Sequence, residues 1–247
     1  MEQSVVFWLV AIAGVVLTGI SKSGFAGGIG IATVPILSLV MSPVQAAAIM
    51  LPLLILMDGF SLKAWWGQQS NHYLGLLIPP AIAGIVAGYL LFEYLNEEML
   101  KLVLGVMSLL FALWGLGNGM QRVTFGSRLA GRLFGAIAGL TSFVAHAGGP
   151  PVNIYLLAKK LPKAQFLATA VIFFAVINVV KLVPYAMLNQ FNTDNLLIAA
   201  LLMPFGWVGV RLGLVIQRNL NDKVFYRIIL VLLLAIGIKL IADAMSY

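Results

Sequence analysis

Two long apolar runs in this chain are interrupted in mid-run by clusters of glycine, and nothing else in the sequence restricts the fold as much. Residues 4–40 are broken by Ser21-Lys22-Ser23-Gly24-Phe25-Ala26-Gly27-Gly28, and residues 129–158 by His146-Ala147-Gly148-Gly149-Pro150-Pro151. Six further segments are continuous and long enough to cross a bilayer, at about 20 apolar residues per span: 44–62, 73–95, 99–118, 164–188, 194–216 and 224–246. Backbone that leaves the helix at membrane depth must be buried in protein or line a cavity, because lipid offers it no hydrogen bonds. The two breaks are therefore the first candidates for a functional site. Composition agrees with a membrane setting. Only 9% of residues are charged and 62% are hydrophobic, far below the roughly 25% charge of soluble domains. That excludes a soluble enzyme, a disordered chain and a nucleic-acid binder of the basic-patch kind, and it makes the lipid bilayer a partner. The net charge of +7 reads as basic cytoplasmic loops. With no cysteine, thiolate chemistry and disulfides are excluded. The opening Met1-Glu2-Gln3 lacks the basic start of a cleavable signal.

Ten of the fifteen basic residues fall in the loops 63–72, 119–132, 159–163 and 217–227, which places those loops on the cytoplasmic face. The loops 41–43, 93–101 and 189–194 carry Glu93, Glu97, Glu98 and Asp194 against a lone Lys101, and go outside. Both termini are then expected outside, in a multi-pass protein of the inner (plasma) membrane. Segment 4–40 must start and end outside and 129–158 must start and end inside, so each is expected to be a re-entrant or broken helix pair. The chain also repeats. Gly27-Gly28 aligns with Gly148-Gly149 at an offset of 121, Asp58 with Asn178 at 120, and Gly84 and Gly88 with Gly209 and Gly213 at 125. Each half reads as a broken pair followed by three spans, and three is odd, so the second half is inverted. The expected organisation is 1–118 as first repeat, 119–128 as cytoplasmic linker and 129–247 as second repeat. Inverted repeats with broken helices mark secondary transporters, with the site at the repeat interface.

Each break permits a helix to restart, at about Ile29 and about Pro151. A restarted helix aims unpaired N–H groups and a positive dipole end at the membrane interior, a ready anion site. Glycine lets a ligand approach the main chain there. Gly24, Phe25, Gly27 and Gly28, with Gly148 and Gly149, are thus candidate substrate contacts; the competing role is close helix packing. Lys22 and His146 sit at the breaks as candidate donors to an anion. Lys22 could instead pair with Asp58 or snorkel, and His146 could be satisfied by backbone carbonyls. Asn153 opens the second restarted helix, as a substrate ligand or as a cap. Asp58, Asn178 and Lys181 are candidates for coupling or structural charge: Asp58 is the only carboxylate well inside a predicted span, and Lys181 lies on the same face as Asn178 at i,i+3. Arg211 is expected to snorkel. Pro52, Pro79, Pro80, Pro184 and Pro204 lie inside spans, where proline kinks a helix. Trp65, Trp66, His72 and Tyr73 suggest an interfacial aromatic belt.

No P-loop pattern, dinucleotide fingerprint, H-E-x-x-H or potassium-filter motif occurs, so no cofactor and no metal site is expected. The glycine-rich stretch Gly24-Phe25-Ala26-Gly27-Gly28-Ile29-Gly30 followed by Pro35, with Gly148-Gly149, the duplicated layout and the chain length, resembles the sulfite exporter TauE/SafE family of membrane permeases. The resemblance implies a permease for sulfur-containing anions such as sulfite and sulfonates. The expected fold is all-α and polytopic, with two inverted repeats. The expected function is secondary transport, in the export direction, of a small anion by alternating access, without enzymatic activity. A proton is a candidate coupling ion, through Asp58 or His146, and a homo-oligomer is compatible with the sequence. An anion channel of the same fold, an intramembrane enzyme and a structural membrane subunit are the alternatives.

Overall fold

The computed structural model describes residues 4–24, 32–92, 94–117, 127–219 and 222–246. Its described residues form helices and connecting turns only, in the order α1 (Val5–Gly24), α2 (Thr33–Leu37), α3 (Pro43–Trp65), α4 (Asn71–Phe92), α5 (Glu97–Leu116), α6 (Arg128–Ala145), α7 (Gly149–Ala158), α8 (Lys163–Met187), α9 (Thr193–Asn219) and α10 (Asp222–Met245). The protein is an all-α polytopic membrane protein. Local chemistry explains the helix starts. Ser42 accepts from the Gln45 N–H at 3.2 Å, with Pro43 in the first helical position. Asn96 accepts from the Met99 N–H at 2.8 Å, and Ser127 from the Ala130 N–H at 3.0 Å. Each cap satisfies a donor that the first turn leaves over. Pro52, Pro79, Pro80, Pro184 and Pro204 are accommodated within continuous helices.

One segment departs from the expectation for simple spans. Residues 4–40 as a whole fail the test, yet Val5–Gly24 is a continuous 20-residue apolar helix long enough to cross alone, about 30 Å. Its polar end does not stop it, because Ser23 Oγ finds carbonyl acceptors in Gly19 of its own helix at 3.0 Å and Val210 of α9 at 2.9 Å. The second restart comes at Gly149, so that Pro150 and Pro151 both occupy the first turn.

Two helices form the centre. In the most apolar stretch of α3, 61% of residues are buried, and in α8 67%, against 33–39% in α4, α5 and α9. The outer helices instead expose Leu90, Leu110, Leu197 and Leu201, an apolar surface suited to lipid rather than water. The helix pairs that pack most extensively are α4 with α6, α1 with α9 and α5 with α10; α3 packs on α8 and α9, and α8 on α4. Exchange α1–α5 with α6–α10 and these pairings map onto one another. Small residues allow the closest crossings. A Cβ on Gly84 would strike the Ala136 carbonyl of α6, and one on Gly19 would lie 2.7 Å from the backbone N of Val210 on α9. Helix α5 meets α10 where Gly105 and Gly237 face each other's backbone carbonyls.

Candidate functional site

Between α1, α2, α3, α6 and α8 lies a cavity lined by Thr18, Lys22, Thr33, Met50, Leu54, Ser142, His146, Phe174 and Asn178. Its polar wall is built from helix ends and helix faces. Thr18 and Lys22 lie four residues apart on the last turns of α1, hence on one face. Ser142 and His146 repeat that spacing at the end of α6. The Thr18 hydroxyl donates to Gly14 O at 2.7 Å and is hydrogen-bonded to the Thr33 hydroxyl, so α2 is tied to α1 across the first break.

Lys22 is buried and forms an ion pair with Asp58 of α3; its ammonium also donates to Leu54 O at 3.3 Å. The other Asp58 oxygen accepts from Asn178 Nδ2 at 2.6 Å. Asp58 and Asn178, aligned with each other in the sequence repeat, therefore meet directly, on the contact between the two central helices.

Lys181 is fully buried, one turn beyond Asn178 on α8. Its ammonium donates to Ser142 O at 3.1 Å, Ser142 Oγ at 3.0 Å and His146 Nδ1 at 2.7 Å. The remaining ring nitrogen of His146, Nε2, lies 2.9 Å from Ala47 O. A carbonyl can only accept, so Nε2 carries the proton and Nδ1 is the acceptor for Lys181. His146 itself has φ 52 and ends α6 in the left-handed region. There Ala147 N–H bonds to Thr141 O, six residues back, at 3.1 Å, and the left-handed position at such a helix end is one that glycine usually fills. A histidine there costs roughly 1 kcal/mol of backbone strain, offset by the two bonds its ring makes. Tyr185 stacks on that ring at 6.0 Å and donates its hydroxyl to Phe143 O at 2.8 Å.

Two lysines face one carboxylate, and Lys181 forms no ion pair among the described residues. Neither Asp58 nor Lys181 is among the cavity's lining residues. Asp58 bonds to two wall residues, Lys22 and Asn178; Lys181 bonds to two others, Ser142 and His146. The polar part of the wall is thus backed on one side by an acid and on the other by a base.

Of the residues singled out from the sequence, Lys22, Asp58, Asn178, Lys181 and His146 converge here. Phe25, Gly27 and Gly28 lie outside the described residues. Gly24 ends α1 and is buried. Gly148 is a packing residue: a Cβ would lie 2.7 Å from Ala138 O and 3.0 Å from Ser142 Cβ. Gly149 begins α7, whose next two residues are prolines without an N–H, while Val152 N–H bonds Gly148 O at 3.5 Å. The second break therefore presents few main-chain donors. Asn153 is buried on α7 and is not among the lining residues. Arg211 is exposed, with its guanidinium over the Trp207 ring at 5.2 Å. Sequence reasoning missed Thr18, Thr33 and Ser142; a hydroxyl four residues before both Lys22 and His146 was the available signal. No group of three metal-type ligands occurs among the described residues.

A family model described as "Sulfite exporter TauE/SafE" matches residues 10–240. Neither a curated protein nor a solved structure matches the chain. The match spans nearly the whole sequence, so the chain belongs to the TauE/SafE family of membrane transporters for sulfite and related sulfur anions.

Proposed function

We propose that the chain is a secondary transporter of one small anion, a sulfur oxyanion such as sulfite or an organosulfonate, working in the export direction by alternating access. The observation that carries this reading is the set of buried polar groups that line one cavity. An anion between Lys22, Asn178 and the hydroxyls of Thr18, Thr33 and Ser142 would meet several of them at once. Several oxyanion oxygens can each meet a separate donor. Gly24, Phe25, Gly27, Gly28, Gly148, Gly149 and Asn153 remain our candidates for a main-chain and amide contribution. The residues of this site bind and release, and we assign them no bond-breaking chemistry.

The helix pairings that interchange between α1–α5 and α6–α10 support two inverted repeats, 1–118 and 129–247, joined by 119–128. In this topology both termini lie outside the plasma membrane. A cysteine replacing Leu161 should be labelled only from the cytoplasm and one replacing Glu98 only from outside. Labelling of both from one side removes the inversion.

Purified protein in lipid should be stabilised by sulfite but not by chloride or sodium ions. At an anion concentration of 100 Kd the gain is about 2.7 kcal/mol. Vesicles preloaded with unlabelled sulfite should then accumulate labelled sulfite transiently by counterflow, which separates a carrier from a channel. Absence of both stabilisation and counterflow across sulfite, sulfate, thiosulfate and simple sulfonates would overturn the proposal.

A further inference from the structure

Resting on that reading, we propose that Asp58 is a tethered substitute for the transported anion, so that the anion enters the site only as Asp58 takes up a proton. In the described state Asp58 already holds the two groups best suited to an incoming oxyanion. It is ion-paired to Lys22 and accepts from Asn178 Nδ2 at 2.6 Å, and both partners line the cavity. A free anion and an ionised Asp58 therefore compete for the same donors. They would also stand as like charges close together at membrane depth, where such repulsion is poorly screened.

Protonation removes the competition. A hydronium ion of the adjoining solvent gives its proton to an Asp58 oxygen and leaves as water; the ammonium–carboxylate pair separates, and Lys22 keeps its proton and charge. The new carboxylic O–H needs an acceptor. Asn178 supplies one if its amide turns over, giving Oδ1 to Asp58 and Nδ2 to the cavity. Lys22 and Asn178 then face the anion, and the site's net charge matches that of the unloaded state. One monoanion thus travels with one proton, and the loaded and unloaded sites carry the same charge. The surroundings favour Asp58 for this exchange. The buried ionisable side chains among the described residues are Lys22, Asp58, His146, Tyr155, Lys181 and Tyr185, of which Lys22 from α1 and Lys181 from α8 act on Asp58. Among the described residues, helices α2, α5 and α9, also packed on α3, bring no buried ionisable side chain. His146 is already engaged at both ring nitrogens.

The direct test is infrared difference spectroscopy on the full chain in lipid, with and without sulfite. Binding should produce a protonated-carboxyl C=O band that shifts when aspartate, and not glutamate, carries 13C. Aspartate labelling identifies the band even if the Asp58→Asn variant does not fold. Where that variant folds, it should lack the band. Its sulfite affinity should also lose the parent's added pH dependence, about tenfold per pH unit for one linked proton, beyond what sulfite's own titration contributes to both proteins. Sulfite binding without an aspartate band overturns the proposal and leaves anion transport standing. Failure of the parent to bind sulfite or any of the related anions overturns the functional reading as well.

Discussion

The two halves handle a buried lysine in opposite ways. In the first, Lys22 is matched by a carboxylate 36 residues away in sequence but adjacent in space, and the pair is neutral. In the second, Lys181 is held by a carbonyl, a hydroxyl and an imidazole, and stays uncompensated. The charged positions of the site differ across the repeat: Asp58 against Asn178, Lys181 against Ser61, Lys22 against Phe143, while Ser21 matches Ser142. Two pairs of packing positions do not differ. Gly84 and Gly209 meet the backbone of α6 and of α1 respectively, and Gly88 and Gly213 follow one turn later against Phe143 and Ile20. A duplicated scaffold needs the same small residues at both crossings, because backbone contact is unforgiving in either copy. A site where α3 meets α8 needs only one acid, so the residues that each of these helices brings to it are free to diverge. Asn178 has the shape of a protonated aspartate, which lets it face Asp58 without like-charge repulsion.

Breaking the neutral pair should have the largest effect. Asp58→Leu leaves two buried ammonium groups with no acid, and stability should fall by about 3–5 kcal/mol, read by unfolding in detergent. Lys181→Met should behave oppositely. It deletes an uncompensated charge for a side chain of similar length, so stability should hold or rise by about 1–3 kcal/mol while sulfite binding is lost; a loss of stability equal to that of Asp58→Leu would erase the distinction between the halves.

The symmetric crossings should respond alike. Gly84→Val and Gly209→Val each push a side chain into the facing backbone and should each cost about 1–3 kcal/mol. Gly75→Ala is the control, since a Cβ there meets nothing within 4 Å, and it should change stability by under about 0.5 kcal/mol. Losses confined to one crossing would show that only one carries the packing. The smallest effect is expected from Tyr185→Phe, which removes the hydroxyl bond to Phe143 O, about 1 kcal/mol, and leaves the ring on His146. An unchanged melting temperature would mean that the Phe143 carbonyl finds another donor.

Much of this molecule was legible in its sequence, for physical reasons. Span edges are written by caps and charges, and Pro43–Trp65, Lys163–Met187 and Thr193–Asn219 begin within a residue of where the pattern places them. The cost of a charge in lipid singled out Lys22, Asp58 and Lys181 before any contact was known. Their partners were less legible. Lys22 had an anion, Asp58 or the interface to choose from, and only the approach of α1 to α3 decides. Hydroxyls were opaque because most serve their own helix. Ser108 bonds Leu104 O at 2.7 Å and Ser61 bonds Met57 O at 2.9 Å, and only its place four residues before His146 separates Ser142, which holds Lys181, from these. The glycines were ambiguous in the same way: Gly148 makes room for α6, a use that its neighbours in sequence do not reveal.

The crossing of α1 with α9 also bears on how the protein is made. Gly19 leaves the ribosome some 190 residues before Val210, the backbone it packs against. At about 5–20 residues per second the wait is roughly 10–40 s. During that time the first helix, bearing Lys22, sits in the bilayer or against an insertion factor without its partner. Helix α4 waits for α6 over a much shorter stretch of chain. Biogenesis therefore hangs on the N-terminal helix, and a chain truncated before α9 should leave α1 unassembled and exposed to quality-control proteases while α4 and α6 still pair.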